Sequence, residues 1–68
     1  MPTYHLGQRV RAFRKLKGFT QQELADQLDV SIAILGAVER GMREPNQSLL
    51  IKIAEVLRVD VDEITDKR

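Results

Sequence analysis

Residues 20–41 read TQQELADQLDVSIAILGAVERG, and the fold turns on whether this stretch is one helix or two. Thr20 is followed three residues later by Glu23. In that spacing the hydroxyl can accept the N–H of residue 23 while the carboxylate accepts the N–H of residue 20, which marks a helix start. A helix over 21–28 follows. Only Asp29 and Val30 then intervene before Ser31, a good cap for a second helix over 32–40, and Gly41 supplies a left-handed stop. So tight a connection forces the two helices to cross steeply.

Upstream, Leu6, Val10 and Phe13 recur at helical spacing between Thr3, a cap, and Gly18, a stop, which predicts a helix over 4–17. Downstream, Pro45 forbids continuation and Asn46 can cap a helix whose apolar face is Leu50, Ile51, Ile53, Ala54 and Leu57. Asp60 with Glu63 repeats the capping pattern for a last short helix to about Asp66. With no strand alternation, repeat or low-complexity stretch, the chain is predicted to be all-α, five helices in one domain over residues 1–68.

Sixty-eight residues bury only about 60% of their unfolded surface. There is no cysteine, hence no disulfide and no thiolate site, and stability must come from packing and capping. No apolar run approaches the roughly 18 residues that cross a bilayer, and no signal-peptide core is visible. The expected setting is soluble and cytoplasmic. The net charge of +1 hides an asymmetry. Residues 1–18 carry Arg9, Arg11, Arg14, Lys15 and Lys17 with no acid, whereas 46–68 hold five acids against four bases. A basic first helix suits an anionic partner as well as a solvated surface.

Catalysis is not expected. His5 is the sole histidine and lies near a terminus, with no neighbouring nucleophile. Asp60, Asp62, Glu63 and Asp66 lack the glycine and ligand spacing of a calcium loop, and capping and the helix dipole account for the first three. No glycine-rich phosphate cradle is present. The chain is therefore read as a non-enzyme without cofactor or metal.

The stretch LGQRVRAFRKLKGFTQQELADQLDVS, followed by VERG, Pro45, LLIKIAEVLRV and VDEI, resembles the phage-repressor and Cro-type (XRE) helix-turn-helix family from about Leu6 to Thr65. The resemblance implies a lambda-repressor-like domain whose helix-turn-helix occupies about 21–40. It also implies a double-stranded DNA partner, with the first of the two helices across the backbone and the second in the major groove. Carried over by position, Gln21 holds a phosphate and orients the groove helix, with Gln22 beside it. Ser31, Ile32, Ala33, Gly36 and Ala37 fall where the family meets base edges, and Arg40 and Arg43 where it grips the backbone. Arg14 and Glu39 match a structural pair bridging the first and third helices. A homodimer on a palindromic operator is the usual arrangement, with exposed apolar residues of the last helix such as Val61 able to serve the dimer contact. Asp29 and Arg58 stand where the family favours glycine, so each is expected to be left-handed at a cost of about 1–2 kcal/mol, less for Asp.

On a helix advancing about 100° per residue, Leu35 and Val38 define the buried side of 32–40, leaving Ala33, Gly36, Ala37 and Arg40 outward and Ile32 and Ile34 on the flanks. Here the sequence departs from the family, which places polar side chains at several of these positions. Alanine and glycine carry no side-chain donor or acceptor. Ile32 or Ala33 could meet thymine methyls, leaving the rest to Gln21, Gln22 or groove shape. The same smooth stripe suits a protein partner, so the alternative is a docking module, a regulator's or toxin's partner, with weak DNA binding. Among apolar residues outside the main pattern, Tyr4, Leu16, Ile32, Ile34 and Leu49, Leu16 is expected to widen the core face, Ile34 to be half-buried and Ile32 to be exposed.

Overall fold

The computed structural model describes residues 2–65, with side chains from His5 onward; Asp66 and the Tyr4 side chain lie outside the described part. Five helices follow in order: α1 (Pro2–Leu16), α2 (Gln21–Leu28), α3 (Ile32–Glu39), α4 (Gln47–Leu57) and α5 (Val61–Thr65). The first begins earlier than its periodicity predicts, because a proline at a helix start gives up an N–H that has no helical partner anyway. Thr3 therefore lies within the first turn rather than ahead of it. At α2 both halves of the capping box form, with the Thr20 N–H donating to Glu23 Oε1 at 2.9 Å and the Glu23 N–H to Thr20 Oγ1 at 3.0 Å. Asn46 Oδ1 accepts the Leu49 N–H at 2.8 Å to start α4. At α5 the Glu63 carboxylate accepts the Asp60 N–H at 3.1 Å.

Four helices end by one device. The N–H groups of Phe19, Val30, Met42 and Val59 reach back to the carbonyls of Arg14, Ala25, Ala37 and Ala54 at 3.0, 3.1, 2.9 and 3.0 Å. Each closure needs a left-handed residue just before it, and these are Gly18, Asp29, Gly41 and Arg58, with φ of 83°, 60°, 76° and 59°. An apolar side chain after the left-handed residue usually folds back on the helix. Phe19, Val30 and Val59 do pack against the core, but Met42 is 76% exposed.

The core gathers Val10, Leu24, Ala25, Leu28, Leu35, Leu50, Ile53, Ala54, Leu57 and Ile64, one stripe from each helix. Two expectations fail at its edge. Leu16 is 75% exposed, because the chain turns back at Gly18 and places Phe19 on the core instead. Ile51 is 42% exposed, since it lies roughly 110° around α4 from the middle of the face that Leu50, Ile53, Ala54 and Leu57 form. Val61 is half-buried against the core, and Leu49 likewise. Among the described residues no helix is long and apolar enough to cross a membrane.

Candidate nucleic-acid interface

The third helix is anchored through its C-terminal half. Leu35 and Val38 turn inward and are buried, and Glu39 is buried beside them. Its Oε2 accepts from Arg14 Nε at 2.7 Å and its Oε1 from Arg14 Nη2 at 3.2 Å, a two-pronged pairing between α3 and α1. Gln21 Nε2 donates to the same Oε1 at 3.0 Å, which brings in α2, and Arg14 Nη1 donates to the Phe19 carbonyl at 2.9 Å. A charge pair taken from water is tolerable only when its remaining hydrogen-bonding groups are satisfied, and here the neighbours do so.

The backbones of α1 and α3 also touch directly. A Cβ built on Gly7 would stand 2.3 Å from the Val38 carbonyl oxygen and 2.7 Å from that of Glu39, so only glycine fits this crossing. Neither carbonyl can retreat like a side-chain tip. Arg14, Gly7 and Gln21 together fix the end of α3 against two other helices.

The opposite end is presented to solvent. Ser31 caps it through its Oγ, which accepts the Ile34 N–H at 3.1 Å. Ser31 and Ala33 are exposed and Ile32 is 42% exposed, while Ile34 and Ala37 are half-buried. The orphan N–H groups of a first turn carry partial positive charge, and no acidic side chain sits in this one.

Gly36 is where the geometry overturns the expected open stripe: it is buried. A Cβ there would meet Arg40 Nη1 at 3.1 Å, with Arg40 Cζ and Gln21 Nε2 both at 3.9 Å. Helical side chains lean toward the N-terminus, so residue 40 covers the surface one turn back. The outward face of α3 is thus not smooth. Between Ala33 and Ala37 in the chain, Gly36 carries the Arg40 guanidinium over it, with the Gln21 amide nearby.

Other basic and polar side chains surround this face. Arg43 is exposed and lines a groove with Lys52, Asn46 and Ser48, together with Ile34 and Leu49. Lys52 belongs to the LLIKIAEVLRV stretch of α4, and only the fold brings it to the same groove as Arg43. Gln22 is exposed, and its Nε2 donates to Asp26 Oδ1 at 2.9 Å. On α1, Arg9, Arg11 and Lys15 line a second groove with His5 and Gln8, and Arg9 Nη1 donates to the Glu63 carbonyl at 3.1 Å.

Residues 10–64 match a family profile described as helix-turn-helix. The chain is 48% identical over 58 residues to a Bacillus subtilis protein named uncharacterized HTH-type transcriptional regulator YazB, covering 85% of this chain and 84% of that one. It is 34% identical over 64 residues to the HTH-type transcriptional regulator SinR of the same species, covering 93% of this chain but only 58% of SinR. Among solved structures, the clp gene regulator ClgR of Corynebacterium glutamicum superposes with a TM-score of 0.93 at 33% identity, covering 97% of this chain and 85% of that one. SinR, the master regulator for biofilm formation, superposes in a structure in complex with DNA, with a TM-score of 0.81 at 35% identity, covering 87% and 95% of the two chains.

Proposed function

The chain belongs to the helix-turn-helix family, and from that premise we propose that it is a sequence-specific DNA-binding transcriptional regulator, not an enzyme, working in the cytoplasm. It lays α2 across the DNA backbone and inserts the first turn of α3 in the major groove. The observation that carries this reading is the asymmetry of α3: residues 31–33 face solvent on a helix whose other end is fixed to α1 and α2 by the Arg14–Glu39–Gln21 network. A rigid helix with an open, acid-free N-terminal turn suits a polyanionic groove.

In this reading Arg43 and Gln22 contact phosphate, with Gln21 held by Glu39 at the entry to the groove. Ser31, Ile32, Ala33 and Ala37 approach base edges, and Ile32 can meet a thymine methyl. Gly36, lying under Arg40, contributes space rather than contact. A homodimer on a palindromic operator, with half-sites about one helical turn apart, completes the proposal.

The test is selection of duplexes from a random pool at two salt concentrations, with molar mass measured on the bound species. Recovery of a palindrome bound by a dimer, with log affinity falling by about 0.9 per phosphate contact against log salt, supports the regulator. Binding that stays in the nonspecific range of about 10⁻⁴–10⁻⁶ M for every duplex overturns it in favour of a domain that docks on a protein.

A further inference from the structure

We propose that Arg40 is the specificity-determining residue of this surface, reading a guanine from the position its guanidinium takes against Gly36. The inference rests on the DNA-binding reading and deepens it, by giving Arg40 a base in place of the phosphate its family position implies.

The apolar character of α3 poses the problem. Its outward residues Ile32, Ala33 and Ala37 can meet methyl groups, but a G·C pair presents the N7 and O6 acceptors of guanine to the major groove, and those need donors. The Arg40 guanidinium supplies them. Its Nη1 lies 3.1 Å from where a Gly36 Cβ would be, so it has folded one turn back from the end of α3 onto the middle of the outward face. The Gln21 amide nitrogen approaches the same point at 3.9 Å, and its direction is set by the bond to Glu39. Among the described residues no acceptor takes a hydrogen bond from the Arg40 guanidinium, in contrast to Arg14, whose Nε, Nη1 and Nη2 are all engaged. Arg40 is exposed, whereas Gly36 beneath it is not.

A residue gripping the backbone beyond the helix would point away from the groove face. This one lies along it. The planar fork of arginine matches guanine O6 and N7 together, the commonest specific contact in the major groove. Any side chain at residue 36 would compete with the guanidinium for its place.

The test compares the full chain with Arg40→Ala, Arg40→Lys and Gly36→Ala on the selected duplex and on duplexes altered at each position. The unaltered chain should lose about 5- to 150-fold in affinity when the guanine of a single half-site is replaced, equivalent to about 1–3 kcal/mol at 1.4 kcal/mol per decade. Arg40→Ala and Arg40→Lys should both erase that preference, and Arg40→Lys should retain the salt slope. Gly36→Ala should fold with an unchanged or higher Tm, because alanine favours helix and the atom it meets is the tip of a flexible side chain. It should nonetheless weaken the guanine preference at the same position. If Arg40→Ala lowers affinity for every duplex alike and flattens the salt slope by about 0.9 per protomer, Arg40 is a phosphate clamp and the inference fails while the DNA-binding reading stands. If no duplex is enriched by the unaltered chain, both fall together.

Discussion

At its C-terminal end α3 is enclosed by Arg14 and Gly7 from α1 and by Gln21 from α2, whereas two turns earlier residues 31–33 of the same segment are open to solvent. The two regions handle polar groups in opposite ways. Inside, each Glu39 carboxylate oxygen has a donor, and no buried side-chain nitrogen or oxygen among the described residues lacks a partner. Outside, the surface is nearly bare of side-chain hydrogen-bonding groups until Arg40 folds back over it. On the proposed reading, the contrast teaches that orientation is set at one end of the helix and recognition takes place at the other.

Glu39→Ala should break the comparison most severely. It leaves the Arg14 charge buried and unpaired, at a cost of about 3–5 kcal/mol. That is a large share of the stability of a small domain, typically about 5–15 kcal/mol. Urea unfolding followed by circular dichroism would read it, and a midpoint close to that of the unaltered chain would mean the network is not an anchor. Gly7→Ala should come next, losing about 1–3 kcal/mol because the methyl runs into two backbone carbonyls that cannot rotate aside. A gain in stability, the ordinary outcome of Gly→Ala within a helix, would contradict the close crossing.

Two smaller changes sharpen the contrast by lying away from the anchor. Arg58→Gly relieves a non-glycine left-handed residue and should stabilise the fold by about 0.5–1 kcal/mol, a little less than the 1–2 kcal/mol strain because glycine also gains freedom when unfolded. Thermal unfolding would show it as a higher Tm. Ile32→Ala should alter stability by no more than about 0.5 kcal/mol, since the side chain is 42% exposed. It should relax selection at one thymine-bearing position in a duplex-binding assay. A large stability loss there would show the open end of α3 to be part of the core.

Much of this was legible in local signals. The Thr20–Glu23 box, the Ser31 and Asn46 caps and the Gly18 and Gly41 stops concern residues three to five apart, and local hydrogen bonding decides them with little help from the rest of the fold. The left-handed Asp29 and Arg58 were likewise expected from their positions in the helix-turn-helix pattern. Exposure was less legible. Leu16 and Ile51 have the right residue type and nearly the right phase, but whether a flanking side chain is covered depends on what packs beside it.

The sequence by itself determined the five helices of the described residues, where four of them stop, and that α2 and α3 are joined by only Asp29, Val30 and Ser31. Periodicity and capping act over one or two turns of chain, so they are written in neighbouring residues. Only the tertiary structure decided that Gly7 is a contact rather than a weak point in α1, that Lys52 and Arg43 line one groove, and that Arg40 lies on Gly36 with the Gln21 amide approaching the same point. Those facts depend on which side chains fill the space between helices. That space does not exist until the helices have packed.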